Sequence, residues 1–239
     1  MATTTWSVLI SCEHGGNQVP EPYRPLFAGQ DALLATHRGW DIGILPLARR
    51  LAKGLAAPLQ AAEVTRLLVD LNRSLHNRTL FSEFTRELPA AEQQRLLQRH
   101  YHPFRQAVEQ TVATRLAAGE RLLHLAVHSF TPELRGKVRS AEIGLLYDPA
   151  SEGERRFCRQ WQMALQQRAP QLRIRRNYPY RGSSDSVGKA LRQQFGTERY
   201  LGIELEVNQA LPLGPAADWE RIQQDLLETF RQVLAQAGN

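Results

Sequence analysis

Three apolar runs of strand length end on residues that carry chemistry. They are Trp6-Ser-Val-Leu-Ile-Ser-Cys-Glu-His14, Leu122-Leu-His-Leu-Ala-Val-His128-Ser129 and Tyr200-Leu-Gly-Ile-Glu-Leu-Glu206-Val-Asn-Gln209. Runs this short and this apolar read as buried strands, and the longer stretches between them carry apolar residues at helical spacing. Strands alternating with helices give an α/β layered fold. In such folds sites form at the strand ends, which places His14, His128 and Glu206 where they can converge.

The spacing predicts strands over residues 7–12, 67–71, 122–127, 142–147, 172–176 and 202–207. Residues 90–118 read as helix broken near Pro103, whose ring removes a backbone donor. Further helices are expected over 185–195 and over 218–235, where Ile222, Leu226, Phe230 and Val233 share one face. Asp41 precedes another helical stretch, as an N-cap would. Two loops stand out: Glu13 to Pro20, whose paired glycines let the backbone turn close to an ion or substrate, and Asn177 to Ser184, stiffened by Pro179. With 239 residues and no break in composition, one domain over residues 1–239 is expected.

The chain carries 30 Lys+Arg against 24 Asp+Glu, a net charge of +6. The arginines are dispersed, as in Arg49-Arg50, Arg155-Arg156 and Leu172-Arg-Ile-Arg-Arg176, and aromatic residues do not interleave with them. That distribution suits a solvated surface better than a nucleic-acid platform. Only Cys12 and Cys158 occur, which excludes a disulfide framework and a four-cysteine zinc site. The N-terminus has neither a basic region nor a signal-length apolar stretch, and no run is long enough to span a bilayer. A soluble cytoplasmic protein is expected, with its oligomeric state open.

Neutral imidazole is a preferred zinc ligand, and catalytic zinc sites commonly use three protein ligands plus a water. His14 and His128 fit that use, although each could equally be a hydrogen-bonded residue at a strand end. For a third ligand the sequence offers Asp41, Glu13 and Asn17. Glu13 would point away from His14 if the strand ran through both, and Asp41 has the alternative of capping a helix. Glu204 and Glu206 share a face of an otherwise apolar strand, where a carboxylate needs a partner: a base beside a zinc-bound water, or an arginine in a salt bridge. Arg73, preceded by Asn72, offers a planar fork for a carboxylate.

Read in order, Ser11-Cys-Glu-His-Gly-Gly-Asn-Gln-Val-Pro20, His37-Arg-Gly-Trp-Asp-Ile-Gly43, Asp70-Leu-Asn-Arg73, Val127-His-Ser-Phe130, Asn177-Tyr-Pro-Tyr-Arg-Gly182 and Gly202-Ile-Glu-Leu-Glu-Val-Asn-Gln209 resemble the N-formylglutamate amidohydrolase family over nearly the whole chain. The resemblance implies a three-layer α/β sandwich with a central mixed sheet, phosphorylase/hydrolase-like and related in plan to zinc carboxypeptidases. It also implies hydrolysis of N-formyl-L-glutamate, or a similar small N-acyl amino acid, by a zinc-activated water. Carried over by position, His14, His128 and Asp41 become the metal ligands and Glu206 the general base. Arg181 becomes the oxyanion partner, and Asn72, Arg73 and Ser129 hold the substrate. The expected alternatives are a zinc amidase or carboxypeptidase acting on another acylated amino acid or peptide, and a non-catalytic metal- or ligand-binding protein of the same fold.

Overall fold

The computed structural model describes residues 6–237. Its strands are β1 (Trp6–Cys12), β2 (Leu59–Ala61), β3 (Arg121–Phe130), β4 (Glu133–Leu134), β5 (Lys137–Val138), β6 (Ile143–Leu146), β7 (Ile174–Arg176) and β8 (Tyr200–Asn208). Six of them form one sheet in the order β2-β1-β3-β8-β6-β7, and β4 pairs with β5 in a separate short hairpin. All neighbours in the large sheet are parallel except β6 against β8, so the sheet is mixed. The helices are α1 (Asp31–Leu34), α2 (Ile44–Gly54), α3 (Ala90–Leu96), α4 (His102–Ala117), α5 (Glu152–Arg168), α6 (Val187–Phe195) and α7 (Ala216–Ala237).

Alternation along the central strands divides the sheet into two unlike faces. Leu123, Leu125 and Val127 of β3 and Ile203, Leu205 and Val207 of β8 belong to the large apolar core with residues of α2, α5 and α7. The opposite face is covered more thinly, by Val108, Val112 and Leu116 of α4 and Val187 and Leu191 of α6 over Leu9, Leu122 and Tyr200. This second face carries Ser11, His124, His128, Glu204 and Glu206 of the central strands. The layered architecture with a mixed sheet is the one the sequence predicts.

Some local expectations fail for identifiable reasons. Residues 67–71 form turns and irregular chain. Leu67 and Leu68 enter a cluster with Tyr23, Phe27 and Leu96, whereas Val69 and Leu71 enter another with Leu80 and Tyr101. A short apolar run does not by itself distinguish a strand from an irregular segment buried on several sides. Strand β2 was not predicted; its residues are half-buried or exposed at the sheet edge and lack a strong pattern. The break expected at Pro103 comes a turn earlier, as one wider turn over Leu97–Tyr101, and buried Tyr101 there donates to Arg73 O at 2.8 Å. Helix α2 is entered through Gly43, with no side-chain cap, so Asp41 is not its N-cap. Gly16 admits close backbone approach rather than an ion: a Cβ there would lie 2.3 Å from Glu63 O.

Candidate active site

Strand β3 runs past its expected end to Phe130, so His128 lies within the sheet, directly paired with Glu206 of β8. His14 stands two residues beyond the end of the parallel β1. Asp41 arrives from the segment before α2, tied by its backbone N–H to His14 O at 2.9 Å. All eight site residues expected from the sequence, together with Glu204, line one cavity of about 250 Å³. Asn17 lies elsewhere, donating to Leu34 O at 3.0 Å and lining another cavity.

His14, Asp41 and His128 each bring a ligand-type atom into a group within 4.8 Å of one another. Asp41 Oδ2 is 3.5 Å from His14 Nδ1 and 3.0 Å from His128 Nδ1. Each imidazole has a carboxylate behind it: His14 Nε2 is 2.7 Å from Asp70 Oδ1, and His128 Nε2 is 3.2 Å from Glu13 Oε2. A carboxylate on the far nitrogen fixes that nitrogen as the donor and leaves the near one free to bind a metal. His14 Nδ1 is buried and, among the described residues, without a hydrogen-bond partner.

The electrostatics favour positive charge at this point. Burial opposes ionisation of Asp41, but His14, His128 and Arg66 hold its carboxyl below the usual range. Burial likewise opposes ionisation of Asp70, and Arg66 and His14 overcome it. Glu13 is brought down to about 2 despite complete burial, chiefly by its hydrogen bond and charge interaction with His128. The His128 imidazolium is disfavoured by burial yet rescued by Asp41 and Glu13, which raise its pKa well above the ordinary value. Carboxylates on both sides of two imidazoles, with an unpartnered Nδ1 between them, form a donor set that fits a divalent metal.

Glu206 behaves differently from these carboxylates. Burial, with Asp41 and Glu204 nearby, raises its pKa to about 8 although His128 pulls the other way. Its Oε2 is buried and finds no hydrogen-bond partner among the described residues. Glu204, one pleat earlier on the same face, is half-buried and reaches the same cavity.

The outer wall comes from two loops joined to each other. Asp185 accepts from Ser74 N at 3.0 Å and Asn77 Nδ2 at 2.6 Å, and its carbonyl accepts from Arg73 Nη1 at 2.8 Å. Asn72 Oδ1 accepts the Val187 N–H at the start of α6 at 2.9 Å, and its Nδ2 lies 3.4 Å from His128 Nε2. Ser129 supports Asp41: its N–H donates to Asp41 Oδ2 at 3.2 Å, and its hydroxyl donates to Ile42 O. Arg181 is exposed at the mouth beside Tyr180.

A family profile described as N-formylglutamate amidohydrolase matches residues 6–213. The chain belongs to the N-formylglutamate amidohydrolase family. Among solved structures, a gene product of Agrobacterium tumefaciens is 28% identical with a TM-score of 0.82, covering 96% of this chain and 91% of that one. An N-formylglutamate amidohydrolase from Ralstonia eutropha is 19% identical with a TM-score of 0.71, over 96% and 93% of the two chains. The CwlD amidase of Clostridioides difficile shares the fold at 10% identity and a TM-score of 0.51, over 96% and 99%. A search of curated proteins finds no match.

Sequence reasoning missed two contributors to this site, Asp70 and Arg66, and weighed Glu13 as a ligand rather than as the carboxylate behind His128. Asp70 and Glu13, the carboxylates behind the histidines, stand next to recognised motif residues, but only the fold aims them. Arg66, which donates to Asp70 Oδ2 at 2.7 Å and approaches Asp41 Oδ1 at 3.4 Å, had no signal beyond an ordinary surface arginine. The i,i+4 spacing of Arg66 and Asp70 was the one available clue.

Proposed function

We propose that this family member is a metal-dependent amidohydrolase, zinc being the expected ion, that cleaves the C–N amide bond of N-formyl-L-glutamate or a similar small N-acyl amino acid. The observation that carries the reading is the unpartnered His14 Nδ1 facing Asp41 and His128, with a protonatable carboxyl, Glu206, in register beside them. His14, Asp41 and His128 would hold the ion. Bound there, a divalent metal supplies Lewis-acid polarisation of the carbonyl and lowers the pKa of water.

The chain's own groups do the rest. Glu206, whose pKa burial raises to about 8, takes the proton of the attacking water in its ionised form and returns it to the departing amine nitrogen. Arg181 at the mouth stabilises the developing oxyanion. Arg73, steadied by Asp185 and flanked by Asn72, holds the substrate carboxylate, with Ser129 completing that side. A cavity of about 250 Å³ lies below the ~300–1,000 Å³ range of drug-sized sites, which favours a small substrate. No helix among the described residues is long and apolar enough to cross a membrane; a cytoplasmic small-molecule enzyme is the reading that goes with these features.

Metal analysis of the purified protein, combined with a panel of N-formyl and N-acetyl amino acids scored by released amine, tests the proposal. Stoichiometric metal and turnover led by formylglutamate are expected. A protein without metal affinity, or one whose hydrolysis survives full removal of metal, would refute it.

A further inference from the structure

Arginines scattered along the chain meet at one edge of the sheet. Helix α5 turns Phe157, Cys158, Trp161 and Leu165 to the core and leaves Arg155, Arg156 and Arg159 exposed. The edge strand β7 buries Ile174 and leaves Arg176 exposed. Gln162 Nε2 of α5 donates to Ile174 O at 2.7 Å, which fixes the helix against the strand. Between them lies a hollow of about 270 Å³ lined by Arg155, Arg156, Arg159, Arg176 and Glu152. It shares no residue with the candidate active site.

The protein does not balance these four guanidinium groups, which stay charged at any physiological pH. None of them forms an ion pair or a side-chain hydrogen bond among the described residues. Their neighbours do: Arg168, further along α5, meets Asp225, and Arg173, just before β7, meets Glu142. Glu152 stands three and four residues before Arg155 and Arg156, the spacing at which helical side chains pair, yet it closes no ion pair with either among the described residues. Arg155 and Arg159 are one turn apart, where like charges repel. An anion seated among the four removes that repulsion.

The donors also say which anion. A guanidinium presents a planar fork that matches two oxygens of a phosphoryl group. Forks from a helix and a strand facing one hollow suit linked phosphoryl groups, whose several charges and oxygens can engage both sides at once. No aromatic side chain lines the hollow, so a base has nothing to stack on. We infer that the hollow between α5 and β7 is a binding site for a small oligophosphate, a di- or triphosphate group held by Arg155, Arg156 and Arg159 on one side and Arg176 on the other. The site does not depend on the proposed hydrolysis or on its metal.

Calorimetric titration of the whole chain with pyrophosphate and with tripolyphosphate tests the inference, in chelator so that no active-site metal takes the phosphate. One ligand per chain is expected, bound more tightly than sulfate and more weakly as salt is added. Arg156→Ala, Arg159→Ala and Arg176→Ala should each weaken binding ~10-fold, as loss of a charge-assisted hydrogen bond does. Arg86→Ala removes the same charge from an exposed position elsewhere and should leave binding unchanged. All four substituted positions are exposed, and a thermal melt checks that each variant is folded. Failure of both phosphates to bind would overturn the inference, as would wild-type affinity in the combined Arg156→Ala, Arg159→Ala and Arg176→Ala variant. An equal loss in Arg86→Ala would reduce it to unspecific charge attraction. A single-stranded RNA oligomer that binds through the same arginines more tightly than tripolyphosphate would overturn the choice of ligand in favour of nucleic acid.

Discussion

Glu206 and Asp41 sit on the same cavity and ionise in opposite directions because their neighbours differ. Burial opposes ionisation of both, but Asp41 faces two imidazoles and Arg66, whereas Glu206 faces Asp41 and Glu204 and is not compensated enough by His128 and Arg66. An unfolded Glu206 loses its proton near 4.5 and the folded one near 8, so its contribution to stability is full below 4.5 and is lost as pH rises through 8. In chelator-treated protein, Glu206→Gln should remove that slope, which amounts to about 1.4 kcal/mol for each pH unit crossed between those two values. Denaturant unfolding of both proteins at several pH values checks it, and parallel pH profiles would contradict it. Metal affinity should grade with distance from the ion: Asp41→Asn loses more than ~100-fold and Asp70→Asn ~10–100-fold, since Asp70 acts through His14. Equal losses in a metal titration would argue against the assignment of Asp41 as a ligand. The eight expected residues that line the cavity were legible in the sequence because each ends or occupies a recognisable strand or motif. Arg66, Asp70 and the position of Glu13 were not, since their partners are far along the chain and become neighbours only in the folded sheet.

The loop between β7 and α6 carries Tyr180 and Arg181, and it is fastened at its far end by a buried ion pair. Arg192 of α6 reaches Glu154 of α5 at 3.3 Å, donates to Gly202 O at 2.9 Å and also donates to Gly182 O. Gly182 lies so close to the sheet that a Cβ would stand 2.2 Å from Tyr147 N, against backbone that has little room to yield. Gly182→Ala should therefore lift the loop, lowering kcat several-fold through Arg181 and costing ~1–3 kcal/mol of stability as overpacking does. Steady-state kinetics with formylglutamate and a thermal melt measure the two effects; an unchanged kcat would show that Arg181 does not depend on the loop's seat. The rigidity expected of this segment from Pro179 and Gly182 was readable, but its anchors were not. Residues 67–71 show the converse limit: Leu67, Leu68, Val69 and Leu71 all bury as a strand's residues would, yet they face separate clusters and, among the described residues, pair with no neighbour in the sheet.

Across the molecule, stability and chemistry occupy opposite faces of one sheet. The apolar face packs on α2, α5 and α7, where Phe157, Trp161 and Phe230 meet edge to face with centroids 5.0–6.2 Å apart and Trp161 Nε1 donates to Thr229 Oγ1 at 3.0 Å. The other face trades apolar packing for buried polar groups, Ser11, His124 and Tyr200 among them, and α4 and α6 cover it with a smaller cluster. That division was foreshadowed by the central strands, in which one alternating set is apolar from Leu123 to Val127 and from Leu201 to Val207 and the other contains every histidine and glutamate of β3 and β8. Phe230 and Asp41 share no side-chain partner among the described residues, so changes at them should act independently. Phe230→Ala should cost ~3–5 kcal/mol as a large-to-small core change, while the folded protein keeps its metal affinity and kcat/KM. Combined with Asp41→Asn, its effect on unfolding free energy in chelator should add to that of the single variant within about 0.5 kcal/mol. A larger coupling in the double-mutant cycle would mean that the apolar core reaches through the sheet to set the ligand geometry.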